Sequence, residues 1–375
     1  MSTLLVTSTD DGTGKTAITV ALAKRLQDRG ERVGYMKPKG TRLESAVGKT
    51  RDEDPMLARE LLGLGAQMHT MEPVVYSPTF VHEAIRGRED AAALGERVEE
   101  AFDELSADVD HMVLEGGGQI STGGIVDLTD VDMAERLDAE VLLVTGYDRP
   151  EDVDEILAAT ERIGDRLAGV LFNGVSPGDL DELTEDVMPF LDSRGVQSVG
   201  VVPHDEALAG VTVDELADQI GAEYLTPEVS ADVRIERFSV GAMGSDAALK
   251  QFRRLRNAAV ITGGDRSDVQ TAALQASGVS CLILTGGYRP SQAVLGEAAD
   301  QGVPVLLVET DTRATIDRTE ARLRSGRTQR PETVERMADL LAESVDLETL
   351  FELPESGFPE KSDLKMPDIL IFPEI

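Results

Sequence analysis

Residues 8–16 read "STDDGTGKT", directly behind the apolar run "LLV". A strand, a turn holding Gly12 and Gly14, then Lys15, Thr16 and a helical pattern is the arrangement that cradles a phosphate. The helix start offers unpaired N–H groups to an anion, and the glycines let the backbone curl around it. In that reading Thr9, Asp10, Gly12, Thr13 and Gly14 wall the cradle, Lys15 meets the β- and γ-phosphates, and the Thr16 hydroxyl ligates Mg²⁺. The generic pattern asks for glycine six residues before the lysine, where this chain has Thr9. The alternative is an ordinary glycine-rich turn with a surface lysine.

Outward from this stretch, short apolar runs alternate with amphipathic segments as far as about residue 225. "TLLVTS", "RVGYMK", "HMVLEG", "AEVLLVTG", "LAGVLFNG" and "VQSVGVVP" read as strands. The pattern predicts an α/β domain over 1–225, a mostly parallel sheet covered by helices on both faces. Its first helix carries Ile18, Leu22 and Leu26 on one face and Gly30 at its C-terminal cap. Residues 226–231, "TPEVSA", have linker composition. A second alternation, "VRIERFSV", "AAVIT", "SCLILTGG" and "PVLLVE", predicts a smaller α/β domain over 232–345 with helices near 244–256 and 290–300. From 351 the composition changes: two of the eight lysines and three of the nine phenylalanines fall there, which marks 346–375 as a flexible tail or, through "ILIF", a strand added to a sheet edge.

Acidic residues outnumber basic ones 70 to 36, for a formal charge of -34. A surface of that sign repels nucleic acid and anionic membranes. With only eight lysines, the balance points to a protein kept soluble in concentrated salt, a halophilic habitat. Cys281, the only cysteine, lies within "VSCLIL" and reads as a buried thiol, so no intramolecular disulfide can form. No apolar run approaches the ~18 residues of a membrane span, and no leader pattern is present, so a cytoplasmic protein is expected.

Five of the eight lysines stand at 15, 24, 37, 39 and 49. Lys37 and Lys39 flank Pro38 after the second strand, where parallel-sheet strand ends converge on ligands, or else they are solvated turn residues. Glu115 ends the strand "HMVLE" before Gly116, Gly117 and Gly118, and suits a Mg²⁺ ligand or a solvated strand end. Asp54 before Pro55 is either a metal ligand or a helix N-cap. In the second domain Gly263, Gly264, Asp265 and Arg266, with Gly286, Gly287 and Arg289, form either a second anion or metabolite site or two tight turns whose arginines pair with acidic neighbours. The histidines at 69, 82, 111 and 204 lack metal-ligand spacing. His82 reads as a surface residue or, by the resemblance named next, as a neighbour of substrate.

In this order and spacing, "TSTDDGTGKT", "VGYMKPKG", "VLEGGG" and "FNGV" resemble dethiobiotin synthetase, which also uses threonine at the first loop position. The resemblance covers residues 1 to about 205 and implies a P-loop NTPase-type sheet, ATP and Mg²⁺ as cofactors, Thr16, Asp54 and Glu115 at the metal, Lys37 at a carbamate, Asn173 at adenine, and a homodimer. The whole chain is similar to the dethiobiotin-synthetase-like N-terminal region of long phosphate acetyltransferases followed by the domain named for Asp-Arg-Thr-Gly-Gly. The stretches "FSVGAMGSDAAL", "VITGGDRSDVQTAAL", "LILTGGYRPSQAV" and "GVPVLLVETDT" carry that second likeness. The acetyl-transferring domain has no counterpart after 345, so acetyl transfer by this chain alone is not expected. Two functions remain open: an ATP-binding regulator or sensor, with a small metabolite possible at the second domain, and an ATP-dependent ligase that uses Lys15, Lys37 and Mg²⁺ on a small carboxylate or amine.

Overall fold

In a computed structural model the chain is described over residues 1–10, 12–41, 43–46, 49–205, 208, 210–325, 331–345 and 350–351. The six strand-like runs of the first half pair into one sheet: β1 (Ser2–Ser8), β2 (Val33–Met36), β3 (His111–Glu115), β4 (Glu140–Thr145), β5 (Leu167–Val175) and β6 (Ser198–Pro203). Its order is β6-β5-β4-β1-β3-β2, and every pairing is parallel. Consecutive residues on a strand enter different cores. Leu5, Leu114 and Leu143 pack with α3 (Ala91–Ser106), α4 (Asp130–Arg136) and α5 (Asp152–Ile163), whereas Leu4, Val6 and Val144 pack with α1 (Lys15–Asp28). Burial on both faces is why these strands read as unbroken apolar runs.

The helix α1 departs from the single-face expectation. Every residue from Thr16 to Ala23 is buried, not only the Ile18–Leu22–Leu26 stripe. Its outer face is covered by α11 (Pro331–Ser344), through Val334, Met337, Leu340 and Leu341. Val345 then bridges to Gly200 on edge strand β6, and Arg336 pairs with Asp205 at 2.6 Å. Thus the chain, after leaving for its second sheet, returns to cover the helix that starts at the candidate phosphate loop.

The second sheet comprises β7 (Glu223–Tyr224), β8 (Arg237–Val240), β9 (Ala258–Gly263), β10 (Val279–Thr285) and β11 (Val305–Leu307). Their order is β7-β11-β10-β9-β8, parallel except for the β7 edge. One face packs on α7 (Ser245–Phe252), α8 (Ser267–Leu274) and α9 (Gln292–Asp300), the other on α6 (Val213–Ile220) and Ile316 of α10 (Thr312–Ser325). Residues 211–224 belong structurally to this unit: α6 fills its core and β7 its edge. Their short runs lack the length of a strand signal, so the linker composition at 226–231 drew the sequence boundary later. Within that segment Thr226 is buried and accepts a hydrogen bond from the Val305 amide at 2.9 Å.

Among the described residues no helix is long and apolar enough to cross a membrane. The "ILIF" stretch and the rest of 352–375 lie outside the described residues.

Candidate functional site

The chain places β2 and β3 on one side of β1 and β4, β5 and β6 on the other, so the direction reverses at β1. In parallel sheets ligands bind beyond the strand C-termini at such a reversal. Residues 8–16 leave β1 at that point. Gly12 and Gly14 both take positive φ, 81° and 82°, and Gly14 caps α1 in the left-handed region. Gly14, the N-cap of α1, carries no side chain to cap the helix, and first-turn amides, which have no intrahelical partner, can meet an anion.

Neighbouring strand ends hold this loop in shape. The Asn173 amide on β5 donates to the Thr13 carbonyl at 2.8 Å, and a Cβ at Gly14 would lie 2.5 Å from its Nδ2. The hydroxyls of Thr9 and Thr145 are 3.1 Å apart, and Gln119 donates to Asp10 at 3.2 Å. Asn173, which the resemblance assigns to adenine, therefore also fixes the loop backbone.

Lys15 Nζ donates to the Gly118 carbonyl and, at 3.2 Å, to the Ser8 hydroxyl. Burial pushes its pKa down, against the opposing pull of Asp130 and Glu115. The Thr16 hydroxyl donates to Glu115 Oε1 at 2.6 Å, and the Tyr35 hydroxyl to Glu115 Oε2 at 2.6 Å. Glu115 is fully buried, and desolvation pushes its carboxyl up to about 7 despite Lys37 and the two hydroxyl donors. Lys37, also buried, has Asp54, Asp52 at 2.9 Å and Glu115 at 3.5 Å around its ammonium. Burial acts to lower its pKa, but the three carboxylates outweigh it and the pKa is raised, so Lys37 stays charged.

Asp54 is not the helix N-cap. The N-cap of α2 (Glu53–Leu61) is Asp52, whose side chain accepts from the Asp54 amide at 2.9 Å. Asp54, two residues further on, is turned to Lys37 instead. Lys39 is not a solvated turn residue either. It is 1% exposed and paired with Asp130, whose other oxygen accepts from Thr7 at 2.6 Å, while Gly117 N donates at 3.3 Å. Sequence reasoning missed Asp52, Asp130 and Tyr35. Asp130 sits in "LTDVD", where the Thr129–Asp132 capping box dominates the local signal.

The donor set of Thr16, Glu115 and Asp54 is all hard oxygen, and Thr16 touches Glu115, which suits Mg²⁺. Among the described residues no group of three or more His, Cys, Asp and Glu is arranged to hold a metal by itself.

At the second sheet the two Thr-Gly-Gly turns lie side by side, since a Cβ at Gly264 would strike the Tyr288 carbonyl. Gly264 N donates to Thr285, Gly286 N to Thr310 and Gly287 N to Val308, all backbone carbonyls. Arg266 donates to the Met243 carbonyl and pairs with Asp268 at 3.2 Å; Arg289 pairs with Glu223 at 2.5 Å. Asp265 is exposed and lies on the Gly263 side of its own turn. His82 is exposed on the helix 78–85, 2.7 Å from the Pro78 carbonyl. Cys281 is buried.

The family model AAA_26, an AAA domain, matches residues 2–212, the whole of the first sheet and its loop. The chain belongs to the AAA_26 family. The DRTGG domain model matches residues 215–321, which places the AAA_26 unit directly before a DRTGG unit. Phosphate acetyltransferase of Pseudomonas putida is 25% identical over 366 residues, covering 92% of this chain and 51% of the relative. ATP-dependent dethiobiotin synthetase BioD of Aquifex aeolicus is 28% identical over 183 residues, 48% of this chain and 80% of the relative. Among solved structures, the MinD cell division protein of Aquifex aeolicus aligns with a TM-score of 0.36 and 16% identity, over 56% of this chain and 84% of that one. The chain spans about half the length of the phosphate acetyltransferases it matches.

Proposed function

We propose that the protein binds Mg²⁺-ATP in its AAA_26 unit and serves as a nucleotide-dependent regulator. The observation that carries the reading is Lys15, at a helix start whose N-cap is Gly14, held by a carbonyl and a hydroxyl that a phosphate can replace. Thr16 and Glu115, with Asp54 nearby, would hold Mg²⁺, which when bound neutralises phosphate charge. The α1 N-terminus would orient the phosphates, and Asn173 would keep the loop curled around them.

Regulation is preferred to ligation because Lys39, one of the two lysines a carboxylate acceptor would need, is already held by a buried carboxylate. Lys37 faces three carboxylates and Lys39 a fourth, all buried. A readout is at hand in α11, which packs on α1 and connects it to the chain beyond the DRTGG unit. The ligase reading retains one favourable observation, that Lys37 and Glu115 are 3.5 Å apart beside Thr16.

Calorimetry of Mg²⁺-ATP with wild type and Lys15→Ala, followed by phosphate release from the same samples, tests this. Binding lost in the variant without turnover is the expected result. Phosphate release stimulated by one small acid and absent from Lys37→Ala would favour the ligase; absence of binding in wild type would remove both.

A further inference from the structure

Lys37 occupies an unusual position for a phosphate-site lysine. Its ammonium is buried and lies among Asp52, Asp54 and Glu115. The Glu115 oxygen nearest to it, Oε1, is the same atom that accepts from Thr16, the residue expected at the metal. We propose that the Lys37 ammonium holds the place of the divalent cation in the nucleotide-free protein, and that the metal displaces it only when a nucleotide phosphate arrives to receive the lysine. This inference rests on the Mg²⁺-nucleotide reading of the same site.

The physical grounds are burial and shared oxygens. Lys37 is 1% exposed and Glu115 0%, so a carboxylate there without a cation is costly, and the protein supplies one internally. An ammonium and a Mg²⁺ cannot both sit against Glu115 Oε1 and Asp54, because two cations sharing those oxygens repel strongly in a poorly solvated site. The lysine can leave without moving the sheet. Its backbone N–H is fixed to the Met71 carbonyl at 2.8 Å, while its flexible four-carbon stem can swing the charge.

Lys39 provides the internal contrast. Its partner Asp130 is held by Thr7 and the Gly117 amide and shares no oxygen with Thr16, Glu115 or Asp54. Lys39 is therefore a fixed pair and Lys37 an exchangeable one. The consequence is that metal and nucleotide bind as a coupled unit, and free Mg²⁺ alone does not enter the site.

The test uses Mn²⁺ as a spectroscopic probe, titrated by electron paramagnetic resonance without nucleotide and with ADP. Wild type is expected to bind Mn²⁺ at least about tenfold more tightly with ADP than without. Lys37→Met is expected to bind Mn²⁺ without nucleotide at least about tenfold more tightly than wild type, since a competing cation has gone. Adding Glu115→Gln should abolish that gain, and Lys39→Met should not reproduce it. Should Lys37→Met fold poorly, Lys37→Gln serves as the second variant, and Mn²⁺ alone is expected to raise the thermal midpoint of either one but not of wild type.

The proposal is overturned if neither Lys37 variant gains Mn²⁺ affinity or metal-dependent stability, if Lys39→Met gains as much, or if wild type binds Mn²⁺ equally with and without ADP while still binding ADP. A protein that binds no nucleotide yet shows the Lys37→Met gain would keep the cation exchange and overturn the nucleotide reading alone.

Discussion

Replacing Asp130 by Asn would test whether the buried charges of this site are mutually required. Asp130 is 1% and Lys39 1% exposed, and the aspartate also accepts from Thr7 and Gly117. Asn keeps the shape and one acceptor oxygen but leaves the Lys39 ammonium buried without its counter-charge. Breaking one half of such a pair costs about 3–5 kcal/mol. With a urea m-value of about 2 kcal/mol/M, the unfolding midpoint of the AAA_26 unit should fall by about 2 M. The companion Lys39→Met removes the stranded charge, so the double variant should be more stable than Asp130→Asn alone. Urea titration of the four proteins by circular dichroism gives the cycle. A loss below about 1 kcal/mol for Asp130→Asn, or a double variant no better than the single, would refute the view of Lys39 as an internally committed pair. It would return Lys39 to the role of a free ligand cation.

Lys15→Ala should weaken Mg²⁺-ATP about 10- to 100-fold, the worth of a charge-assisted hydrogen bond to phosphate, while moving the unfolding midpoint little; calorimetry and urea titration read the two separately. Gly14→Ala places a side chain at φ 82° and 2.5 Å from Asn173 Nδ2, so a loss of about 1–3 kcal/mol is expected, partly relieved in an Asn173→Ala background. Leu341→Ala, at a fully buried position of α11 against α1, should cost about 2–5 kcal/mol, and a change under 1 would contradict that packing. Burial pushes the Cys281 thiol well up, so at pH 8 it should react with a thiol reagent only after denaturant is added, and rapid labelling of the folded protein would contradict its burial.

Much of this site was legible because its chemistry follows chain-local rules. The loop from Thr9 to Thr16 depends on glycines at two left-handed positions and a helix start, all within a few residues, and each strand of the first sheet carries its own apolar run. Asp52, Asp130 and Tyr35 were not legible. Each is an unremarkable residue in its local setting, an N-cap, a first-turn acid and a strand tyrosine, and its role comes from a partner far along the chain. Tyr35 meets Glu115 and Asp130 meets Lys39 only because β2 and β3 pair and α4 packs beneath β1.

The sequence by itself determined the α/β character of both units, the phosphate-loop geometry and the placement of Lys15 and Thr16, because backbone conformation and alternating burial are written in neighbouring residues. Only the tertiary structure decided that α11 returns to cover α1, that Lys39 is bound to Asp130, and that Lys37 lies among three carboxylates. Those outcomes depend on which buried surface meets which. A helix that is amphipathic in isolation carries no record of its partner, and a lysine carries no record of the carboxylate that will neutralise it when both leave water.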